Sequence, residues 1–339
     1  MRKVFVPIFF FLLVSAVIGP IACSKSETPA APIVNVINNY PTPVPTWNPA
    51  MGRDWYQATN AATWTARHGH TCLTFNNKLW ILGGEDNSSG TNFGDSWASS
   101  NGVSWSSMGS VTFTGRYYHS SVVFDNGTGN KMWVIGGAGN SGSFNDTWSS
   151  PDGVNWTQSN SGSATFSTRY GLASAAYNGK IWVIGGQDAC CPRNDVWSSS
   201  DGVNWTLATS NAAFSARATH SCVVFNNAMW VIGGYDASLT TLNDVWTSTN
   251  GVNWTQVTGV AEFSPRNHHQ SLVYNGALWV INGNGGGSEA WYSVDGNIWT
   301  QATAAMASGS RTEAAGAVFN NKMWVISGLG GTNDVWFSP

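Results

Sequence analysis

From residue 51 onward the chain alternates short apolar runs with short polar ones, and no run shows the sustained three-and-four spacing of an amphipathic helix. The runs are of four kinds. R-x-x-H-x-x-x-x-F (Arg116 to Phe124) is followed by K-M-W-V-I-G-G (Lys131 to Gly137), then N-D-x-W (Asn145 to Trp148), then V-N-W-T (Val154 to Thr157). Each has strand length, β-branched and aromatic residues, and a boundary of Gly, Asn, Asp or Ser. The set recurs, with the second small residue after the apolar strand at Gly84, Gly137, Gly186, Gly234, Gly283 and Gly328, a spacing of roughly 50 residues. Four short strands per unit, six times over, predict an all-β fold, a six-bladed β-propeller of four-stranded blades over residues 51–339.

The two ends of this region support a closed ring. The last unit stops at NDVWFSP and lacks a fourth strand, whereas GRDWYQAT near residue 51 places Trp55 ahead of Arg67 at the spacing that separates Trp254 from Arg266. The N-terminal strand is therefore expected to complete the last blade, which leaves no sheet edge between first and last units.

At these residues the chain resembles the kelch-repeat family: paired glycines after an apolar strand (Gly136 and Gly137, Gly185 and Gly186, Gly233 and Gly234), then an aromatic residue, then a tryptophan. Asn282 and Ser327 depart from the paired-glycine pattern in the last two units. The S-x-D-G-x-x-W turn (Ser150 to Trp156) also looks like a shortened Asp-box of sialidase-type propellers. The resemblance implies a binding face formed by the loops that enter the innermost strand and those between strands two and three. Because the kelch family includes a six-bladed epimerase of sialic acid, it also implies an enzyme acting on an acidic sugar as an alternative.

Composition sharpens this picture. Charged residues make up 10% of the chain, against roughly a quarter in ordinary soluble domains, as expected of sheets buried on both faces. Apart from Trp47 and Trp64, the 20 tryptophans divide into three per unit, one each on strands two, three and four. Such regularity points to packing, and the D-G or N-G pairs between them to hairpin turns.

Candidate chemistry gathers at the start of the innermost strand. Arg67, Arg116, Arg169, Arg217, Arg266 and Arg311 hold one equivalent position, and every histidine lies within three residues of one of them: His70, His119, His220 and His269 at plus three, with His68 and His268 besides. Trp64, Phe113, Phe166, Phe214 and Phe263 precede an arginine by three, and Glu85, Asp86, Asp188 and Asp236 are expected around the same mouth. Guanidinium forks bind carboxylates in two-point fashion and aromatic rings offer stacking area, so an anionic glycan or an acidic peptide would suit this mouth. The competing reading is that a residue repeated in every blade serves the fold. Departures from symmetry then point to function: Tyr117 and Tyr118, Tyr170, the pair His268 and His269, Glu313, and Leu172 and Ala314 where other blades have His. An enzyme would hold its substrate carboxylate on Arg67, Arg116 or Arg311 and use Glu313 or His268 as acid or base.

Residues 1–22 read as a signal peptide, with basic MRK, an apolar stretch and IAC at the cleavage position. The segment resembles a bacterial lipoprotein signal with Cys23 as the acylated residue, although Pro20 stands where Leu is usual; ordinary signal cleavage and an uncleaved anchor are the alternatives. Residues 23–50, proline-rich and nearly uncharged, read as a tether able to span about 80 Å. Cys72 and Cys222 fall in opposite blades, too far apart to bridge, and Cys190 and Cys191 are adjacent, where oxidation could close a vicinal disulfide. The absence of CxxC, HExxH, calcium-loop and Walker spacings predicts no metal and no cofactor, and a net charge of −3 argues against nucleic acid. The expectation is an exported, membrane-anchored binding module for a glycan or protein, with the acidic-sugar enzyme and a structural envelope protein as alternatives. On this reading the mature protein partitions into the detergent phase with an acylated Cys23 at its N-terminus; recovery in the aqueous phase with an unmodified N-terminus would refute it.

Overall fold

The structure, a computed structural model, describes residues 48, 50–160, 165–330 and 332–339. The expected signal peptide, Cys23 and the tether as far as residue 47 lie outside the described residues. Among the described residues all regular structure is β, arranged as six antiparallel blades. The first blade runs Thr71–Phe75, Lys78–Leu82, Asp95–Ser99 and Ser106–Ser110 from the axis outward. The innermost strands of the others are Ser120–Asp125, Ala173–Tyr177, Ser221–Phe225, Gln270–Tyr274 and Ala315–Phe319, and the six pack side by side in a closed ring.

The burial pattern follows the strand's place in the blade. Lys180–Ile184 is buried at every position after its lysine, as a continuous apolar run sandwiched between neighbouring blades must be. Ala173–Tyr177 alternates buried and half-buried, because one of its faces borders the central channel. The apolar core is correspondingly divided into six layers, each between two blades. Leu73, Trp80 and Leu82 of the first blade meet Phe113, Met132, Val134 and Trp156 of the second, for example.

The tryptophans pack as their regularity predicts. The ring of Trp80 lies against the turn of the following blade so closely that a Cβ on Gly153 would stand 2.0 Å from it, and that glycine has φ +77°. Both steric room and backbone conformation therefore require glycine there. The same turn is closed by Ser150 Oγ, which accepts from Gly153 N at 2.8 Å, and by Asp152 Oδ1, which accepts from Val154 N and Asn155 N at 2.9 and 2.8 Å.

In the sixth blade this turn is where the chain is open. Tyr56–Thr59 pairs with Val335–Ser338 as the outermost strand. Across the gap Ser338 Oγ accepts from Gly52 N at 2.7 Å, and Gly52 meets the Trp279 ring as Gly153 meets Trp80. The closure expected from Trp55 is thus present, down to the hydrogen bond from Trp55 Nε1 to Gly52 O that its counterpart Trp156 makes to Gly153 O.

Each repeated arginine ties its own blade together. Arg116 Nη1 and Nη2 donate to the two oxygens of Asp146, from the N-D-x-W strand, at 2.6 and 3.0 Å; Nη1 also donates to Gly136 O and Nε to Thr114 O. Trp148 Nε1 donates to the same carboxylate at 2.7 Å. The pairs Arg67–Asp95, Arg169–Asp195, Arg217–Asp244 and Arg311–Asp334 repeat it, and Glu289 replaces the aspartate for Arg266. Removing one partner of such a buried pair costs about 3–5 kcal/mol, because the other charge is left uncompensated. Between blades, the second small residue donates its N–H to the carbonyl of the next arginine, from Gly84 to Arg116 at 2.8 Å round to Gly328 and Arg67 at 3.2 Å. Deletion of residues 51–60 removes the closing strand and the Gly52 contact, and is expected to abolish the single cooperative melting transition of the whole ring. A truncated protein that melts like its parent would refute the closure.

Candidate functional site

The isolated pairings of His68 with Glu85, Tyr117 with Ala138, Tyr170 with Gln187 and Asn267 with Asn284 bring the loop entering each innermost strand beside the loop leaving the second strand. These loops form one face, the mouth of the ring. The expected arginines do not open onto it as free cations. All six are buried, with their forks committed to carboxylates of their own blades. The aromatic residues that precede them are core as well: Phe113, Phe166, Phe214 and Phe263 pack edge-on against the tryptophans just before the fourth strands, and Trp64 against Trp105.

What does reach the mouth is the residue two beyond each arginine. Gly69, Tyr118, Gly171, Thr219, His268 and Glu313 all have left-handed φ, between 50° and 61°. Their backbones form a closed crown around the axis: Tyr118 N donates to Gly69 O, Gly171 N to Tyr118 O, Thr219 N to Gly171 O, His268 N to Thr219 O, Glu313 N to His268 O and Gly69 N to Glu313 O, at 2.7–3.2 Å. Glycine occupies this conformation without cost, whereas a residue with a Cβ pays about 1 kcal/mol or more. Four of the six positions nevertheless carry side chains, and strain of this kind concentrates at functional sites.

Three of those side chains converge. Glu313 Oε2 lies 2.6 Å from His68 Nδ1, and the Tyr118 hydroxyl also bonds to the Glu313 carboxylate. The Tyr118 ring reaches across the axis to His268 of the opposite blade, centroid to centroid 5.0 Å, with Tyr117 at 4.8 Å and Tyr170 at 6.2 Å. Glu85 faces the other nitrogen of His68 at 3.8 Å. Burial alone would raise the Glu313 carboxyl, but hydrogen bonds from His68 and Tyr118 and the nearby His268 outweigh it and hold the group below its ordinary value, hence ionised. Burial, with the Glu313 charge, pushes the Tyr118 hydroxyl well up.

The sign of the mouth is therefore negative. Glu85, Asp86, Asp236 and Glu313 stand there without an arginine or lysine partner, while Asp188 is neutralised by Arg193 at 2.5 Å. Lys78, Lys131, Lys180 and Lys322 all lie at the start of second strands, at the opposite face. The arginines from which an anionic ligand was expected are internally neutralised by carboxylates of their own blades.

Beneath the crown the channel opens into a cavity of about 210 Å³ bordered by His70, His119, His220 and His269, and a second of about 220 Å³, lined by serines, Cys72 and Cys222, shares His70 and His220 with it. His119 Nε2 is 3.0 Å from Thr71 Oγ1 and His269 Nε2 is 3.0 Å from Ser221 Oγ, so these rings bridge neighbouring blades. Cys72, Cys222, Cys190 and Cys191 are free thiols. Ligand atoms of Asp188, Cys190 and Cys191 lie within 4.8 Å of one another, but Arg193 already holds that carboxylate.

The crown escaped sequence analysis because six different contexts share a conformation and no residue type. Glycine at Gly69 and Gly171, two past an arginine, was the available signal; Thr219 and Tyr235 carried none. Burial, with Arg116, Arg217 and Arg266 respectively, lowers the imidazoles of His119, His220 and His269 to about 3. Below about pH 6.5 the unfolded chain therefore binds protons that the folded ring refuses, and stability present above that pH is lost as the pH falls toward 3, by up to about 1.4 kcal/mol per pH unit for each ring. Melting temperature should drop between pH 6.5 and 5, above the range of ordinary carboxyl titration, and drop less steeply in His119→Gln. A flat profile there would show that these histidines are not held neutral.

A family model for the KLHDC2/KLHL20/DRC7 Kelch-repeats domain matches residues 69–283. No curated protein matches the chain at a significant level. The family match ends at Gly283, beside Asn282, the first departure from the paired glycines. With that match over most of its length and six four-stranded blades, the chain belongs to the kelch-repeat family of β-propellers.

Proposed function

We propose that this kelch propeller is a binding module that takes a protein ligand at its mouth, on a chain exported and anchored through Cys23. The observation that carries the choice of face is the crown: four side chains held at left-handed φ where glycine would fit without strain, three of them converging on the axis. Tyr117, Tyr118, Tyr170 and Tyr235 are half-buried there and offer rigid amphipathic contact area of the kind enriched at interfaces. The acidic-sugar enzyme loses support, because Arg67, Arg116 and Arg311, which were to hold the substrate carboxylate, are spent on Asp95, Asp146 and Asp334. A neutral glycan is the second reading, favoured by the Tyr118 and Tyr170 rings, which lie within 27° of parallel. Export and anchoring rest on the sequence of the first 23 residues alone.

A photo-reactive phenylalanine analogue at position 117 in the full chain should cross-link a discrete protein in the producing cell, and one at position 56, on the exposed edge of the sixth blade, should not. Adducts to carbohydrate at position 117 would favour the glycan. Equal yields of the same adducts at both positions would remove the mouth as the binding face.

A further inference from the structure

Resting on the mouth as the binding face, a more specific chemistry follows from what surrounds the crown. The cavity below it is bordered by Glu313 and by polar atoms without partners. His269 is 8% exposed and its Nδ1 has no hydrogen-bond partner. His268 Nδ1 lies 2.8 Å from Asn267 Oδ1, which as an acceptor fixes the proton on Nδ1 and leaves a lone pair on Nε2, also without a partner. Burial, partly opposed by Glu313, lowers the His268 imidazole below its ordinary range. The cavity thus offers a carboxylate, neutral imidazole lone pairs and tyrosine faces.

We propose that the crown receives a primary ammonium group, the side chain of a lysine on the bound protein, held by the Glu313 carboxylate and His268 Nε2 against the ring of Tyr118. Three properties of an ammonium match three features of the site. Its charge answers a mouth on which Glu85, Asp86, Asp236 and Glu313 have no arginine or lysine partner. Its three N–H donors need acceptors, and Glu313 accepts two hydrogen bonds of the roughly four a carboxylate can take. Its attraction to a ring face is served by Tyr118, with Tyr117 and Tyr170 alongside. The cavity of about 210 Å³ accommodates the four-carbon stem. His268 Nε2 is covered by neighbouring groups, so the ammonium reaches it through a side-chain rearrangement of the kind common at interfaces. A guanidinium is a poorer fit because its planar fork seeks two-point carboxylate contact, and the Glu313 carboxylate already engages His68.

The test titrates the full chain with Nα-acetyl-lysine N-methylamide, following the imidazole nitrogen resonances of ¹⁵N-labelled histidine. Binding should shift the His268 signals and weaken at least about ten-fold when the probe is Nε-acetylated or replaced by the glutamate analogue. Glu313→Gln should weaken it similarly, and Lys180→Gln, on the opposite face, should leave it unchanged. If Glu313→Gln fails to fold, the comparison of free with Nε-acetylated probe on the unaltered protein decides. Equal binding of the acetylated probe, tighter binding of the glutamate analogue, or a folded Glu313→Gln that binds as well as its parent would overturn the proposal. So would silence of all probes, as for a cavity that holds only solvent. A protein cross-linked at position 117 alongside that silence would leave the mouth as the binding face and remove only the ammonium.

Discussion

Six hydrogen bonds between blades, each from the N–H of the second small residue to the carbonyl of the next blade's arginine, set the terms for the rest of the molecule. They form a cycle, so each blade must hold its donor and its acceptor at the same relative position as every other. The side chains repeated in every unit serve that requirement. The arginine fork ties the strand entry to the third strand, and the second-strand tryptophan seats on the glycine of the following turn. A buried ion pair is a costly way to fasten one strand to another. It is tolerable here because the carboxylate also accepts from a tryptophan and the guanidinium also donates to two carbonyls, so that each charge makes three or four hydrogen bonds.

With the repeated positions consumed by closure, chemical individuality is confined to positions where the cycle fixes the backbone and leaves the side chain free. The crown is such a position. Its hydrogen bonds are made by main-chain groups alone, so Gly, Tyr, Thr, His and Glu all satisfy it, and the face can vary without loosening the ring. Scaffold and candidate site are separate in this ring, and the left-handed backbone at Tyr118, Thr219, His268 and Glu313 marks the boundary between them.

The blades were legible in the sequence because each of their signals is a residue type forced by local geometry: glycine at a turn pressed on a tryptophan, Asp-Gly where φ must be positive, Trp55 at the spacing of a fourth strand. Tyr117, Tyr118, His268 and Glu313 could be singled out as breaks in symmetry. The electrostatic sign of the mouth could not, since it depends on Arg116 meeting Asp146, two residues in motifs that read separately as an innermost-strand signature and a third-strand signature. Counting arginines gave a cationic ring; pairing them across the blade gives an acidic one, set by Glu85 and Glu313. The crown lay beyond reach for a different reason, being a regularity of dihedral angle that only its two glycines disclose.

The gap between Ser338 and Gly52 falls within a hairpin turn that the other five blades make without interruption, and the hydrogen bond across it matches theirs. The ring therefore has no intrinsic first blade. The serine-to-glycine hydrogen bond that spans this opening is the one each of the equivalent turns makes, so the position of the opening is free to be set by orientation. In this chain the opening is on the face of the lysines, and the crown is turned the other way.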